Sequence, residues 1–308
     1  MTLRRLRAAA RLTGFYALVA IVAAYALIPF VWAISTSLKS ESELFGAARL
    51  IPREPSLDNY VAVLSSASFM GSLGNSVLVA GGSALLALAA GSFAAYALGR
   101  LRFRGKQAML YAVLAMTMFP QISVLSGMYE NVRELGIFGT QAAMLYAYPL
   151  FTLPFAAWVL TSFFRGLPRE IEEAAVVDGA TTAQIFVRIL LPLTVPALVT
   201  TGLLTFIVSW NEYVFALAFT LTNPSAQTVP VAVAQFAGIV EQQEPIAEIM
   251  AAAIVVTVPL VVLVLIFQRR IAAGLTAGER QPEHGHPGRG AERTSGPRSG
   301  CSDPQRAS

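Results

Sequence analysis

The chain has 308 residues, of which 55% are hydrophobic and only 13% are charged. An average soluble domain has about 25% charged residues, so this composition excludes an ordinary soluble domain and predicts a membrane protein. The formal net charge of +4 comes largely from basic residues at the ends of apolar segments and in the C-terminal tail. A role of these basic residues in keeping the segment ends on one side of a membrane explains the charge more simply than binding to nucleic acid.

Six apolar segments are long enough to cross a bilayer, for which about 20 residues suffice. One of them belongs to the uncharged stretch 59–99, which has a polar start, so its spanning part is predicted from Ser76 to Leu98. The six predicted spans are residues 12–38, 76–98, 107–129, 135–164, 193–215 and 249–267. The sequence therefore predicts an all-α membrane protein with six transmembrane helices.

Lysine and arginine concentrate before the first predicted span and after the second, fourth and sixth. These residues are Arg4, Arg5, Arg7, Arg11, Arg100, Arg102, Arg104, Lys106, Arg165, Arg169, Arg188, Arg269 and Arg270. The intervening connections contain only Lys39, Arg49, Arg53 and Arg133. Because basic residues are retained in the cytoplasm, both termini are predicted to be cytoplasmic.

A cleavable signal peptide is an alternative for the N-terminal segment, since Ala24-Tyr25-Ala26 offers a cleavage site. The apolar run is longer than an ordinary signal-peptide core. The length favours an uncleaved first span.

The connection after the second span contains Gly105-Lys106, the end of a possible phosphate-binding loop. That motif requires a glycine at position 100 and a hydroxyl residue at position 107. Arg100 and Gln107 occupy those positions. With no other candidate in the sequence, this chain is not expected to be a nucleotide-hydrolysing enzyme.

The longest polar passage that still has helical signals runs from Pro168 to Pro192. Pro168 suits a first helical turn, and carboxylates follow it where they meet the positive end of the helix dipole. Gly179 can close that helix, and Thr181 with Gln184 forms a capping box for a second one. One face of the second helix is apolar, with Ile185, Phe186, Ile189 and Leu190. The passage predicts two short helices joined by a tight, protruding turn.

This passage resembles the EAA loop of ABC-importer permeases. The matching pattern is Glu173-Ala174-Ala175, then Gly179, Ile189 and Leu191-Pro192 at the family's spacing. The resemblance implies the type I ABC-importer permease fold, with this loop as the cytoplasmic coupling helix that docks into a cleft of the ATPase subunit. The implied coupling residues are Glu172, Glu173, Ala174, Ala175, Asp178, Gly179, Ala180, Ile189, Leu191 and Pro192. The alternative is a capped surface helix pair between two spans.

Shorter matches flank the loop and resemble carbohydrate-type permeases. They are Ser37-Leu38-Lys39, Asn59-Tyr60, Gly74-Asn75-Ser76, the connection from Tyr96 to Lys106, Met128-Tyr129, Leu135-Gly136, Thr140 and the segment from Gly274 to Gly278. Tyr148-Pro149 and Pro154 predict kinks in the fourth span. Two interpretations of these kinks stay open: a gating hinge, or simple irregularity of packing.

Trp210-Asn211-Glu212-Tyr213 near the outer end of the fifth span also resembles a family motif. At 1.5 Å per residue, Glu212 would lie about 24 Å above Pro196, in the outer part of the membrane core. An acidic group there must face protein or water. Two interpretations stay open: these residues line the translocation path or its outer gate, or they form an interfacial aromatic belt with an emerging carboxylate.

The resemblance implies a permease subunit of an ATP-driven, binding-protein-dependent importer in a prokaryotic plasma (inner) membrane. Its expected partners are a second permease, a homodimeric ABC ATPase that binds ATP and Mg, an extracytoplasmic solute-binding protein and a sugar or oligosaccharide. No cofactor and no catalytic residue are expected on this chain. An ion-coupled secondary transporter is the alternative, for which Glu212 is the one candidate coupling residue.

The chain is predicted to divide into a cytoplasmic N-terminus (1–12), a permease domain (13–278) and a disordered cytoplasmic tail (279–308). The tail is rich in Gly, Pro, Ser and Arg and cannot bury a core. His284 and His286 offer only two metal ligands on this segment, so solvated histidines are expected and no metal site is predicted.

Overall fold

The computed structural model describes residues 2–44, 49–236 and 246–277, and the regular elements in these residues are all helical. The helices are α1 (Thr2–Ser37), α2 (Glu41–Leu44), α3 (Asp58–Ser65), α4 (Ala67–Gly99), α5 (Lys106–Thr117), α6 (Leu125–Glu134), α7 (Gln141–Ala147), α8 (Pro149–Gly166), α9 (Glu170–Val177), α10 (Thr182–Gln184), α11 (Leu191–Leu193), α12 (Val195–Trp210), α13 (Val214–Thr220), α14 (Val229–Phe236) and α15 (Ile246–Ala277). Short 3₁₀ turns at Gln121–Val124 and Pro224–Ala226 and a π-helical segment at Ile185–Leu190 complete the chain order. The predicted tail lies outside the described residues.

Three helices are long and apolar enough to cross a membrane alone: Arg11–Ser37 of α1, all of α4, and Ile246–Phe267 of α15. Three bent pairs have the same character: α5 with Gln121–Glu134, α7 with α8, and Thr182–Leu193 with α12. Their bends are 97°, 41° and 74°. Counting each pair as one span gives the six predicted spans.

The second span extends further than predicted. Its helix begins at Ala67, where Ser66 caps it by accepting a hydrogen bond from the Phe69 amide at 3.4 Å. Polar residues before the predicted start at Ser76 belong to this helix, and Ser72 among them is buried. The Ser72 hydroxyl donates to the Ser68 carbonyl, which removes the cost of burying it.

The centre of the fold is α4, which packs against α8 and α12. Small residues allow the close approach of α4 and α8: a Cβ atom on Gly91 would lie 3.1 Å from the Ala156 Cβ and 3.3 Å from the Ala157 nitrogen. Such small-residue contacts are typical of helix pairs in membranes, where backbone proximity replaces the hydrophobic effect as the source of association. The packing of α4 therefore depends on Gly91.

Several short matches from the sequence meet in the loop after α1. The Asn59 amide donates to the carbonyls of Ser37 and Lys39 at 2.9 and 3.0 Å. The hydroxyls of Ser37 and Tyr60 lie 2.7 Å apart. These contacts fix α3 to the end of α1.

Asn75 and Ser76 in α4 organise the connection between α13 and α14. The Asn75 amide donates to the carbonyls of Ser225 and Gln227, and the Ser76 hydroxyl accepts from the Val229 amide at 2.8 Å. Asn75 and Ser76, which the sequence places at the start of the second span, therefore hold the connection between α13 and α14.

Candidate coupling loop

The predicted coupling loop begins with α9, and its first turn carries Glu170, Glu172 and Glu173. Free backbone N–H groups and the helix dipole make this end of a helix favourable for carboxylates. The predicted start near Pro168 is confirmed to within two residues.

Gly179 ends α9 with φ of +80°, in the left-handed region. The Ala180 amide donates to the Ala175 carbonyl at 2.9 Å, and the Gly179 amide donates to the Val176 carbonyl at 3.0 Å. These two bonds form a Schellman motif. A Cβ atom at Gly179 would meet nothing within 4 Å, so the requirement for glycine comes from backbone conformation alone.

Thr181 and Gln184 form the predicted capping box. The Thr181 hydroxyl accepts from the Gln184 amide at 3.3 Å, and the Gln184 side chain accepts from the Thr181 amide at 2.8 Å. The helix that follows differs from the prediction, because residues 185–190 adopt π-helical geometry. It still buries Ile185, Phe186 and Leu190, while Ile189 is half-buried.

Phe186 anchors the loop to two spans. Its ring centroid lies 5.1 Å from that of Phe93 and 5.0 Å from that of Tyr96, both on α4, and 6.2 Å from that of Phe164 on α8. Ala175 of α9 packs into the same cluster. A displacement of the loop therefore moves side chains that are embedded between α4 and α8.

Arg100, at the end of α4, ties the base of the loop to the membrane domain. Its Nε atom forms an ion pair with the Glu172 carboxylate, and its Nη atoms donate to the carbonyls of Leu167 at 2.9 Å and Pro168 at 3.1 Å. The Arg100 side chain is only 4% exposed. We call this group of three interactions the Arg100 clamp.

The sequence does not predict the clamp: it places Arg100 among the predicted cytoplasmic charges and in the connection from Tyr96 to Lys106, without a partner in the loop 168–192. Arg100 and Glu172 are distant along the chain, and no local pattern pairs them. The structure gives Glu172 a partner within the chain, whereas Glu173 is exposed.

The outer side of the loop combines acidic and apolar groups. Val176 and Val177 are 61% and 87% exposed, and the exposed residues Glu173 and Asp178 flank them. The other predicted coupling residues differ in exposure: Ala174, Gly179 and Pro192 are exposed, Ala180, Ile189 and Leu191 are half-buried, and Ala175 is buried. The two valines were not predicted as site residues, although their place between Ala175 and Asp178 marks them as part of the protruding turn.

The second predicted site, Trp210–Tyr213, lies at a break in the fifth span. α12 ends at Trp210, and α13 starts at Val214. Glu212 is 9% exposed, and its carboxylate accepts hydrogen bonds from the Phe215 amide at 2.9 Å, the Ala216 amide at 3.0 Å and the Tyr148 hydroxyl at 2.8 Å. Trp210 is buried against Phe206, whereas Asn211 and Tyr213 are exposed.

The Glu212 carboxylate therefore caps the N-terminus of α13 from inside the protein. The predicted position of Glu212, 24 Å above Pro196, assumed one continuous helix. That assumption is wrong, because the helix ends at Trp210, before Glu212. Three donors compensate the burial of its charge. Neither interpretation of the motif accounted for this structural role.

The family described as Binding-protein-dependent transport system inner membrane component matches residues 60–277. The chain belongs to this family. Among the permease's relatives, the trehalose transport system permease protein SugB of Mycobacterium tuberculosis is 42% identical over 270 residues, covering 88% of this chain and 98% of SugB. The trehalose/maltose transport system permease protein MalG of Thermococcus litoralis is 40% identical over 265 residues, covering 85% and 94% of the two chains.

A solved structure supports the fold independently. The permease superimposes on a chain of a bacterial ABC transporter involved in the import of the acidic polysaccharide alginate with a TM-score of 0.70. The two chains are 24% identical, and the match covers 84% of the permease and 96% of the other chain. The permease therefore has the type I ABC-importer permease fold. Its family and its relatives make it a permease component of an ABC importer rather than an ion-coupled carrier.

Proposed function

We propose that this chain is one of two permease subunits of an ATP-driven importer for a small oligosaccharide of the trehalose or maltose type. The observation that carries the proposal is the loop 168–192, which exposes an acidic and apolar outer side while the Arg100 clamp and Phe186 fix its inner side to the spans. The names of the relatives that are 42% and 40% identical support the class of sugar.

The outer side of α9 is the proposed contact with a homodimeric ABC ATPase. Glu173 offers a carboxylate to a basic group in the ATPase cleft, and Val176 and Val177 offer apolar area that no residue described in this chain covers. Burying two valine side chains contributes about 1.5–3 kcal/mol each when burial is complete. The apolar contact thus supplies affinity, and the carboxylate supplies orientation.

The inner side of the same loop transmits the movement of the ATPase subunits to the membrane spans. Interfaces and packed cores switch between discrete arrangements rather than deforming continuously. When nucleotide closes the ATPase dimer, each loop moves with its ATPase subunit, and the Phe186 cluster carries α4 and α8 with it. ATP and Mg bind to the ATPase, and this chain contributes no catalytic residue.

The proposed orientation puts the loop and both termini in the cytoplasm. Cations lie at the C-terminal end of α4: Lys106 donates to the carbonyls of Gly99 and Leu101, and Arg165 donates to that of Leu98. They compensate the negative end of the helix dipole. Because basic residues beside membrane spans are enriched on the cytoplasmic side, their position at this end of α4 supports the orientation. A solute-binding protein would then deliver the sugar on the opposite side.

Reconstitution tests this function. Proteoliposomes containing this permease, its second permease and the ATPase should accumulate labelled trehalose or maltose when ATP and the sugar-loaded binding protein are supplied. The isolated permease should hydrolyse no ATP. Sugar uptake that persists without ATP, or ATP hydrolysis by the isolated chain, would contradict the proposal.

A further inference from the structure

The connection between α4 and α5 lies at the membrane surface. Its residues 101–105 are not helical, and Leu101 and Phe103 in it are exposed. Exposed non-helical backbone does not lie in the hydrocarbon, because nothing there pairs with its polar groups. Tyr111 on α5 is also exposed, and its hydroxyl accepts a hydrogen bond from the Gln107 amide at 3.3 Å, which holds the polar end of the ring towards the connection. Tyrosine side chains of this kind are enriched at the level of the lipid headgroups.

Four cations gather at this surface from three parts of the chain. Arg165 on α8 and Lys106 on α5 donate to successive carbonyls at the end of α4, at 3.3 and 3.1 Å. Arg165, Arg169 and Arg102 each repel the Lys106 ammonium electrostatically. We call Arg102, Lys106, Arg165 and Arg169 the basic patch.

The basic patch has more positive charge than the described part of the chain neutralises. Residues 100–106 and 165–169 contain six arginines and lysines and no acidic residue. The carboxylate of Glu172 is already paired with Arg100. Among the described residues, nothing forms a hydrogen bond or an ion pair with the guanidinium groups of Arg102 and Arg169, and both residues are exposed. These two groups are therefore available to an anion from outside the chain.

The surroundings of the basic patch favour a lipid as the source of that anion. Leu101 and Phe103 flank Arg102 and are 41% and 40% exposed, and Met109 extends this apolar surface along α5 with 54% exposure. A free phosphate would contact the cations and leave the apolar side chains uncovered. A phospholipid places its phosphate on the cations and its acyl chains on the apolar residues. Basic pockets between membrane spans bind anionic headgroups in this way.

The basic patch is also continuous with the start of the loop 168–192. The Arg169 carbonyl accepts hydrogen bonds from the amides of Glu172 and Glu173, both at 3.0 Å, in the first turn of α9. Arg102 belongs to the connection between α4 and α5. A phosphate held by both guanidinium groups would link that connection to α9.

We propose that the basic patch binds the headgroup phosphate of an anionic phospholipid, and that the bound lipid links the connection 101–105 to the start of α9. The proposal goes beyond the proposed function and does not depend on the transported sugar. It makes the position of the loop sensitive to the lipid composition of the membrane.

The first test compares two photoreactive lipids with identical acyl chains, phosphatidylglycerol and phosphatidylcholine. Each is added in trace amounts to phosphatidylcholine nanodiscs that contain the permease pair, and mass spectrometry measures labelling of residues 101–117 of this chain. Each basic residue near a membrane surface strengthens the binding of anionic lipid about five-fold. The two unpaired arginines therefore predict labelling by phosphatidylglycerol about 25-fold above that by phosphatidylcholine.

The variants follow from the same reasoning. Arg102→Gln and Arg169→Gln should each reduce the preference for phosphatidylglycerol to about five-fold, whereas Arg102→Lys should keep most of it because the charge remains. Arg188→Gln is the matched control: Arg188 is exposed on the π-helical segment of the loop, and its loss should leave the preference unchanged. Because the preference is a ratio within one variant, it does not depend on the yield of folded protein.

Four outcomes would overturn the proposal. Equal labelling of the wild type by both lipids would show that the basic patch does not select anionic lipid. Equal preferences in Arg102→Gln, Arg169→Gln and Arg188→Gln would show a general attraction to charge. Competition by glycerophosphoglycerol, which is the headgroup without acyl chains, would indicate a site for a soluble anion. Loss of labelling when the ATPase is added would assign the basic patch to the ATPase interface.

A second test measures the link to the loop by hydrogen exchange of the α9 amides. In nanodiscs with phosphatidylglycerol, exchange should be about five-fold slower than in phosphatidylcholine alone when the anionic lipid is present at about four times its Kd. Arg169→Gln should abolish this difference, and Arg188→Gln should retain it. Equal exchange of the wild type in both lipids would contradict the link. Neither test measures transport, so failure of the proposed function and failure of the lipid site are separate results.

Discussion

Replacing Arg100 with alanine should uncouple the loop from the membrane domain. The change removes the ion pair with Glu172 and the two hydrogen bonds to the carbonyls of Leu167 and Pro168. It leaves the Glu172 carboxylate, whose side chain is 23% exposed, without its partner.

The size of the effect follows from these contacts. Removing one partner of a fully buried pair costs about 3–5 kcal/mol, and partial access of Glu172 to water reduces that cost. A net loss of about 2–3 kcal/mol in the free energy that keeps the loop closed lowers hydrogen-exchange protection of the α9 amides roughly 30- to 150-fold.

Hydrogen exchange measured by mass spectrometry on the purified transporter checks this value. Arg100→Lys should have an intermediate effect, because an ammonium keeps the charge but loses the planar fork of donors. Arg104→Ala is the matched control, since Arg104 is exposed in the same connection. Unchanged protection of α9 in Arg100→Ala, or an equal loss in Arg104→Ala, would refute the reasoning.

Three further predictions concern backbone, packing and buried charge. Gly179→Val should disorder the turn and reduce association with the ATPase, because a β-branched residue is strained at φ of +80°. Gly179→Asn should retain the association. Equal co-purification of the ATPase with both variants would contradict this prediction. Gly91→Val should destabilise the detergent-solubilised protein by about 1–3 kcal/mol, seen as a lower melting temperature, and Gly71→Val should not, because a Cβ there meets nothing within 4 Å. Glu212→Gln should lower the melting temperature more than Tyr148→Phe. Glu212→Gln removes the charged acceptor of three hydrogen bonds, whereas Tyr148→Phe removes only one of the three donors. The reverse order would show that the charge is unimportant.

Local signals were sufficient to predict the backbone geometry at the start of the loop 168–192. The acidic first turn, Gly179 and the Thr181–Gln184 box each depend on neighbours within a few residues, and all three form as predicted. The π-helical geometry of residues 185–190 that follows has no such local signal.

Long-range features could not be predicted in this way. The Arg100 clamp joins residues far apart in sequence, and the Tyr148 hydroxyl that donates to Glu212 comes from a different span. Neither the end of α5 at Thr117 nor the 97° bend into Gln121–Glu134 follows from a single proline at position 120. Hydropathy finds apolar segments and does not report where a helix breaks inside one.

The proposed function requires that the outer side of α9 binds the ATPase. The most direct measurement is the affinity of the purified ATPase for the permease pair in lipid nanodiscs, comparing wild type with Glu173→Ala and Val177→Asp. Glu130→Ala is the control, since Glu130 is an exposed carboxylate on α6. Glu173→Ala should weaken binding by about 2–5 kcal/mol, as for a partly buried charged contact, and Val177→Asp should also weaken it. Wild-type affinity in both loop variants would contradict the account.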